Sequence, residues 1–286
     1  MSSSMYDVTP LEPFGAVVTG LDVRRQPEQS VMERLEHDLD EHHVLVFRGH
    51  SAPSDAELVR FVGSFGELER PDVVPDQVSS DAPQIVHISN EVENGAYVGP
   101  SQTTRSLDGH SDYCWQDRVS SIGALDAVAV PDLGGETWFS NMYAVFDSLE
   151  PGLREWLQRL TAMHVRDTTS SQFREAKPQA LRKAEHPLVM IHPTTHRRAI
   201  YVNTMYTNRI VELAPDESDE LLEGLFLLMS QPEYVYEHRW KIGDLVLWDQ
   251  LGLVHGRKAF DVNQRRYMRQ ITTLVADPAA PWAVHA

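Results

Sequence analysis

GDLVLWDQLGLVHGRKAFDVNQRRYMRQ, residues 243–270, reads as a series of short strands separated by turns. The run DLVLWDQ is apolar, rich in strand-forming residues and bounded by turn signals, which leaves it too short for an ordinary helix. His255 closes the next strand-like run, and Arg266 follows eleven residues later on a third, across the turn-prone DVNQ. Short strands in close succession predict a sandwich, barrel or jelly roll rather than a doubly wound parallel sheet.

The pattern extends outward from there. SSIGALDAVAV, AIYVNTMY and RYMRQITTLV are strand-like, punctuated by PDLGG, HRR and IGD. Two helical segments interrupt them: MYAVFDSLEPGLREWLQRL, broken at Pro151, and APDESDELLEGLFLLMS, whose acidic first turn suits the positive end of a helix dipole. Toward the start, GAVVTGLDV and HHVLVFRG are further strands, and SVMERLEHDLDE between them carries Val31, Leu35 and Leu39 at helical spacing. SAPSDAELVRFVGSFGEL is a second helix, with Ser54 as N-cap and Gly66 near its stop. Polar, proline-rich segments at about 69–83 and 90–108 hold no period and read as loops, which at that length often carry function. The expected fold is mainly β with flanking helices, in one domain spanning residues 1–286. No glycine-rich phosphate loop follows a strand, and no internal repeat is found.

The chain carries 42 acidic and 25 basic side chains, a net charge of −17. That charge repels polyphosphate and anionic lipid alike, so neither nucleic acid nor a membrane is an expected partner. No apolar run approaches the roughly 18 residues that span a bilayer. The start, MSSSMYDVTP, lacks a signal-peptide pattern, and the single cysteine, Cys114, fits a reducing compartment. These features predict a cytoplasmic protein.

In GHSDYCWQD, residues 109–117, His110 and Asp112 stand two positions apart. On a strand both would point to one face and could converge on one ion, with Ser111 turned away. With His255 they would complete two imidazoles and a carboxylate, which leave three positions open on an iron. Arg266 could then fork onto a co-substrate carboxylate. Each residue alone also reads as an ordinary one, His255 as a core imidazole and Arg266 as half of a surface ion pair.

The ordered set PFGAVVTGLDV, HHVLVFRG, FGELE, HSD, GGETWFSNMYAVFDSL, YVNTMYTNRIV, WKIGDLVLWD, LVHG and QRRYMRQ runs over nearly the whole chain. It resembles the TauD/TfdA (taurine dioxygenase-like) family of Fe(II)- and 2-oxoglutarate-dependent dioxygenases. The resemblance implies a double-stranded β-helix, a jelly roll flanked by helices. It implies that His110, Asp112 and His255 bind Fe(II), and that Arg266, with Thr137 of GGETWF, holds the distal carboxylate of 2-oxoglutarate. It further implies O2 as second co-substrate, release of succinate and CO2, and oxidation of a C–H bond of a small-molecule substrate, by hydroxylation or desaturation. Family halogenases carry a small residue at the carboxylate position, so Asp112 disfavours halogenation. Family members are often dimers or tetramers, and the sequence fixes no oligomeric state.

Taurine-type members place a second arginine four residues after the one matching Arg266, where this chain has Gln270. A neutral amide does not replace a bidentate cation, so taurine is not the expected substrate. By strand parity Gln270 looks into the site and Arg269 away from it. Ser106, Tyr113, Trp115, Asn203 and Tyr206 are further candidates for substrate contact, and Tyr206 and Trp115 read equally as core. Cys114 is expected to be inert packing. Residues 166–187 resemble the family segment that closes over the site, with a solvated helix and loop as the plainer reading. Two other classes stay open: a jelly-roll Zn2+ or Mn2+ hydrolase or isomerase in which Arg266 binds substrate, and a degenerate binding protein, which would need a lost ligand.

Overall fold

The computed structural model describes residues 5–71, 81–93, 96–97, 104–166 and 182–282. Eleven strands form two principal sheets. In chain order they are β1 (Asp7–Pro10), β2 (Ala16–Thr19), β3 (Val44–Phe47), β4 (Val86–Ser89), β5 (Leu107–His110), β6 (Ser120–Ala129), β7 (Thr137–Asn141), β8 (Val235–His238), β9 (Leu245–Asp249), β10 (Leu253–Arg257) and β11 (Tyr267–Leu274). The larger sheet runs β1-β2-β3-β9-β6-β11-β4 and the smaller β8-β7-β10-β5. Only the β2–β3 pairing within them is parallel, and a helix (Gln29–His42) lies between those two strands in the chain.

Side-chain alternation explains the continuous apolar runs. In β3, Val44 and Val46 face one way and Leu45 and Phe47 the other; in β9, Val246 and Trp248 oppose Leu245 and Leu247. The first set meets Phe139, Tyr236 and Leu253 of the smaller sheet, so the two sheets pack face to face as a jelly roll. The second set is covered by helices α1 (Gln29–His42) and α2 (Asp55–Gly63) through Leu35, Leu39, Leu58 and Phe61. A sheet buried on both faces has no polar side to show, hence VLVF and LVLW rather than strict alternation.

Local chemistry sets the helix ends. Ser54 and Glu57 close a capping box on α2. The segment expected to break at Pro151 does so, into α3 (Met142–Ser148), capped by Asn141, and α4 (Pro151–Leu157), with Pro151 in its first turn. The last helix, α5 (Pro215–Met229), has Asp216 and Glu217 in its first turn. No helix among the described residues is long and apolar enough to cross a membrane.

Two expectations need correction. AIYVNTMY is not one strand: pairing stops at Ile200, and residues 203–206 turn because the Asn203 side chain accepts the Tyr206 N–H at 2.8 Å. Asp112 is not on a strand either, because β5 ends at His110 and the chain turns through Tyr113, which has φ 58°. The convergence of His110 and Asp112 therefore comes from a turn, not from strand pleat. Of the expected loops, 72–80, 94–95 and 98–103 lie outside the described residues, as does 167–181 of the expected lid.

Candidate metal and co-substrate site

The smaller sheet brings the two distant imidazoles together. His255 in β10 stands directly across from His110 at the end of β5, with ring centroids 4.2 Å apart. Trp138 of β7 helps to set this approach. Its indole lies against Gly256, one residue past His255, and against Gly109, one residue before His110. A Cβ at Gly256 would run into that ring, so glycine there lets the indole lie across both histidine-bearing strands.

Asp112 completes the cluster. One ligand atom from each of His110, Asp112 and His255 lies within 4.8 Å of the others. Asp112 Oδ1 is 3.7 Å from His110 Nε2, and Oδ2 is 4.0 Å from His255 Nε2. The His110 Nδ1–H donates to the Asp108 carbonyl at 3.0 Å, which leaves the Nε2 lone pair facing the cluster. Burial and the neighbouring His110 hold His255 well below its ordinary pKa, so the His255 ring is neutral with a lone pair to offer. Asp112 is buried, and among the described residues no lysine or arginine pairs with it. A carboxylate so enclosed needs a compensating cation, and two neutral imidazoles beside it are the donor set of a divalent transition metal. The three residues fit Fe(II).

A second polar pocket lies further along the same inner face. Thr137 pairs with Arg257, two rungs from the His255–Phe139 pair and on the same face. The Thr137 Oγ1 accepts the Trp240 indole N–H at 3.0 Å, which leaves its own hydroxyl proton to donate elsewhere. Arg266 is 3 % exposed, and its Nε has no hydrogen-bond partner among the described residues. Its backbone is clamped by Asn90, which receives the Arg266 N–H at 2.8 Å and donates its own to the Arg266 carbonyl at 3.2 Å. Gly135 of the GGETWF loop has φ 70°, which favours glycine, and packs beside the Pro131 ring and the Arg266 side chain. Burial and the nearby Arg257 charge pull Arg266 down to about 9, and it is still cationic at neutral pH. A buried cation of this kind calls for an anionic ligand, so the pocket fits the distal carboxylate of 2-oxoglutarate.

Sequence reasoning did not single out Arg257 or Gln250. Arg257 is buried, shares the inner face with His255, and donates to the Arg105 carbonyl at 2.7 Å. An arginine two residues from a candidate ligand on one strand was the available signal. Gln250 follows β9 in a turn and bonds to Asp112, and nothing in its sequence context marks it.

The candidate substrate residues separate into groups. Tyr206 packs edge-on to His110 at 6.1 Å, Trp115 to Tyr206 at 4.5 Å, and Tyr113 tilts against Trp115 at 5.6 Å, forming one aromatic wall. The Arg166 guanidinium lies 4.9 Å above the Trp115 ring. Asn203 is buried, and its amide is engaged by the Tyr206 N–H and the Cys114 thiol. Ser106 is exposed just before β5. Gln270 faces Asp112, whereas Arg269 turns to the helix layer and pairs with Asp126 and Asp55, each at 2.7 Å. Cys114 is fully buried, and burial pushes its thiol far above the usual range, as expected of packing rather than redox chemistry.

The family description "Taurine catabolism dioxygenase TauD, TfdA family" matches residues 7–272. The chain belongs to the TauD/TfdA family. Its enzymes use Fe(II), 2-oxoglutarate and O2, and this chain is therefore an Fe(II)/2-oxoglutarate-dependent dioxygenase acting on a small molecule. Among TauD/TfdA relatives, pentalenolactone F synthase of Streptomyces arenae is 38% identical over 98% of this chain and 99% of its own length. The alpha-ketoglutarate-dependent 2,4-dichlorophenoxyacetate dioxygenase of Cupriavidus pinatubonensis is 31% identical over 93% of this chain and 96% of its own. A taurine dioxygenase from Burkholderia xenovorans superposes with a TM-score of 0.82 at 26% identity, covering 97% of this chain and 92% of that one.

Proposed function

We propose that this dioxygenase hydroxylates or desaturates a C–H bond of a small molecule with an apolar body, other than taurine, with His110, Asp112 and His255 holding the iron. The observation that carries the substrate reading is Gln270: at the position of the second arginine of taurine-type members, this chain has an amide, and it is bonded to Asp112 at 2.7 Å. No cation is offered from that position to a sulfonate. The names of the two relatives agree in kind, since neither refers to taurine.

Iron together with 2-oxoglutarate and O2 supplies the oxidising power and releases succinate and CO2. The chain's residues bind and orient. In this reading Arg266 forks onto the distal carboxylate of 2-oxoglutarate, and the Thr137 hydroxyl donates to the same group. Tyr113, Trp115 and Tyr206 give the substrate an apolar wall beside His110, which fixes the C–H bond presented and keeps water away from it. We place the enzyme in the cytoplasm, with neither nucleic acid nor membrane as partner, on its charge of −17 and single buried cysteine.

The test is succinate release by purified protein with Fe(II), 2-oxoglutarate and air, across a panel of small organic molecules that includes taurine. At least one molecule with an apolar body is expected to raise succinate in step with its own oxidised product, while taurine leaves the rate at the substrate-free background. Taurine-dependent succinate at or above that of every other compound would overturn the substrate reading.

A further inference from the structure

Two glutamines meet on one oxygen of Asp112. Gln250 donates from Nε2 to Oδ2 at 2.6 Å, and Gln270 donates from Nε2 to the same Oδ2 at 2.7 Å. Both come from the larger sheet, Gln250 from the turn after β9 and Gln270 from β11, whereas His110 and His255 sit on the smaller one. The Gln250 carbonyl also accepts the Asp112 backbone N–H at 3.4 Å, so its amide can be oriented only with nitrogen toward the carboxylate. Ser120 of β6 donates to the Asp112 carbonyl and anchors the backbone beneath.

A carboxylate oxygen has two lone pairs, and the two amide donors that meet on Oδ2 match that capacity. Oδ1 accepts no hydrogen bond from any described side chain and lies nearer to His110 Nε2. Resting on the reading of Asp112 as an iron ligand, we propose that Gln250 and Gln270 are positioning residues that occupy Oδ2 and leave Oδ1 as the single oxygen for the metal. The consequence is a one-oxygen contact. A carboxylate free to swing would chelate through both oxygens and close one of the three positions that two imidazoles and one oxygen leave open. The pair also stabilises the ionised carboxylate inside a buried site without adding a positive charge that would repel the metal. Gln270 thereby acquires a role that the arginine of taurine-type members would fill poorly, since a cation on Oδ2 would compete with the ion on Oδ1.

The experiment measures Mn(II) affinity from the free-ion EPR signal, without 2-oxoglutarate or substrate, for Gln250→Met, Gln270→Met, Gln270→Glu and the double methionine variant. Methionine keeps length and volume and removes the donor. Each single methionine variant is expected to bind Mn(II) about 10- to 100-fold more weakly, the usual effect of losing an outer partner of a metal ligand. The double variant is expected to be weaker still, whereas Gln270→Glu, which adds negative charge beside the ion, is expected to bind it at least as tightly as Gln270→Met. Melting temperatures of the metal-free proteins should fall by no more than about 2–4 °C per lost donor, with cooperative unfolding retained, which separates positioning from general packing. Mn(II) affinities within twofold of the parent in all folded variants would overturn the proposal, and so would a parent protein that binds no Mn(II). Loss of Mn(II) in the variants, with a parent that forms no succinate on any substrate, would leave the amide pair standing and remove the oxygenase reading.

Discussion

Replacing Arg266 with methionine should raise the KM for 2-oxoglutarate by about 30-fold to several thousand-fold, the range that follows from losing ~2–5 kcal/mol at a buried charge pair. The guanidinium is 3 % exposed, and without a ligand its Nε has no partner among the described residues. The same burial predicts an opposite effect on the ligand-free fold. Burial draws Arg266 down from the ordinary arginine value to about 9. A cation whose folded pKa lies below its unfolded one costs stability at every pH below the folded value, and the cost fades as pH rises from there toward the ordinary arginine value. At neutral pH the ligand-free protein therefore carries the whole penalty. Arg266→Met should melt higher than the parent when ligand-free, and 2-oxoglutarate with Mn(II) should stabilise the parent far more than the variant. A thermal-shift series with both ligands reads this directly. A variant that melts lower than the parent and still responds fully to 2-oxoglutarate would place the co-substrate elsewhere.

Asp112→Ala should reduce 2-oxoglutarate turnover to the assay background. Asp112 is the one carboxylate in the cluster with His110 and His255, and without it two neutral imidazoles hold a divalent ion weakly. The cost to the fold should be far smaller than the cost to activity. Alanine leaves the Gln250 and Gln270 amides without their acceptor, at about 1–3 kcal/mol for each donor that water does not reach, and it also removes a buried carboxylate that burial disfavours. Succinate assays at saturating Fe(II), paired with thermal melts, separate the two effects. Turnover at a tenth of the parent rate or better would mean that Asp112 is not a ligand.

Most of the architecture was legible because strand and helix patterns are local. The both-faced burial of VLVF and LVLW, the capping box at Ser54 and the break at Pro151 each follow from residues within a few positions. AIYVNTMY was misleading for the same local reason: its apolar run favours a strand, while the Asn203 side chain bonds the backbone into a turn. The site was legible in part. His110, Asp112, His255, Thr137 and Arg266 stand out by motif and order, but their meeting depends on register between strands far apart in the chain, which no local pattern encodes. The structure places Gln270 at a metal-ligand candidate as well as inside the site, and it adds Gln250 and Arg257. Their significance lies in what they touch across two sheets, and a glutamine after a strand or an arginine within one carries no such label in sequence.

In the proposed site His110, Asp112 and His255 bind iron, and a keto-diacid meets it with Arg266 behind. Anaerobic titration of the purified protein with Fe(II) and then 2-oxoglutarate measures this most directly. A weak visible charge-transfer band is expected that grows to one 2-oxoglutarate per iron and is abolished by Asp112→Ala. A protein that binds Fe(II) and stays colourless at saturating 2-oxoglutarate would contradict this assignment.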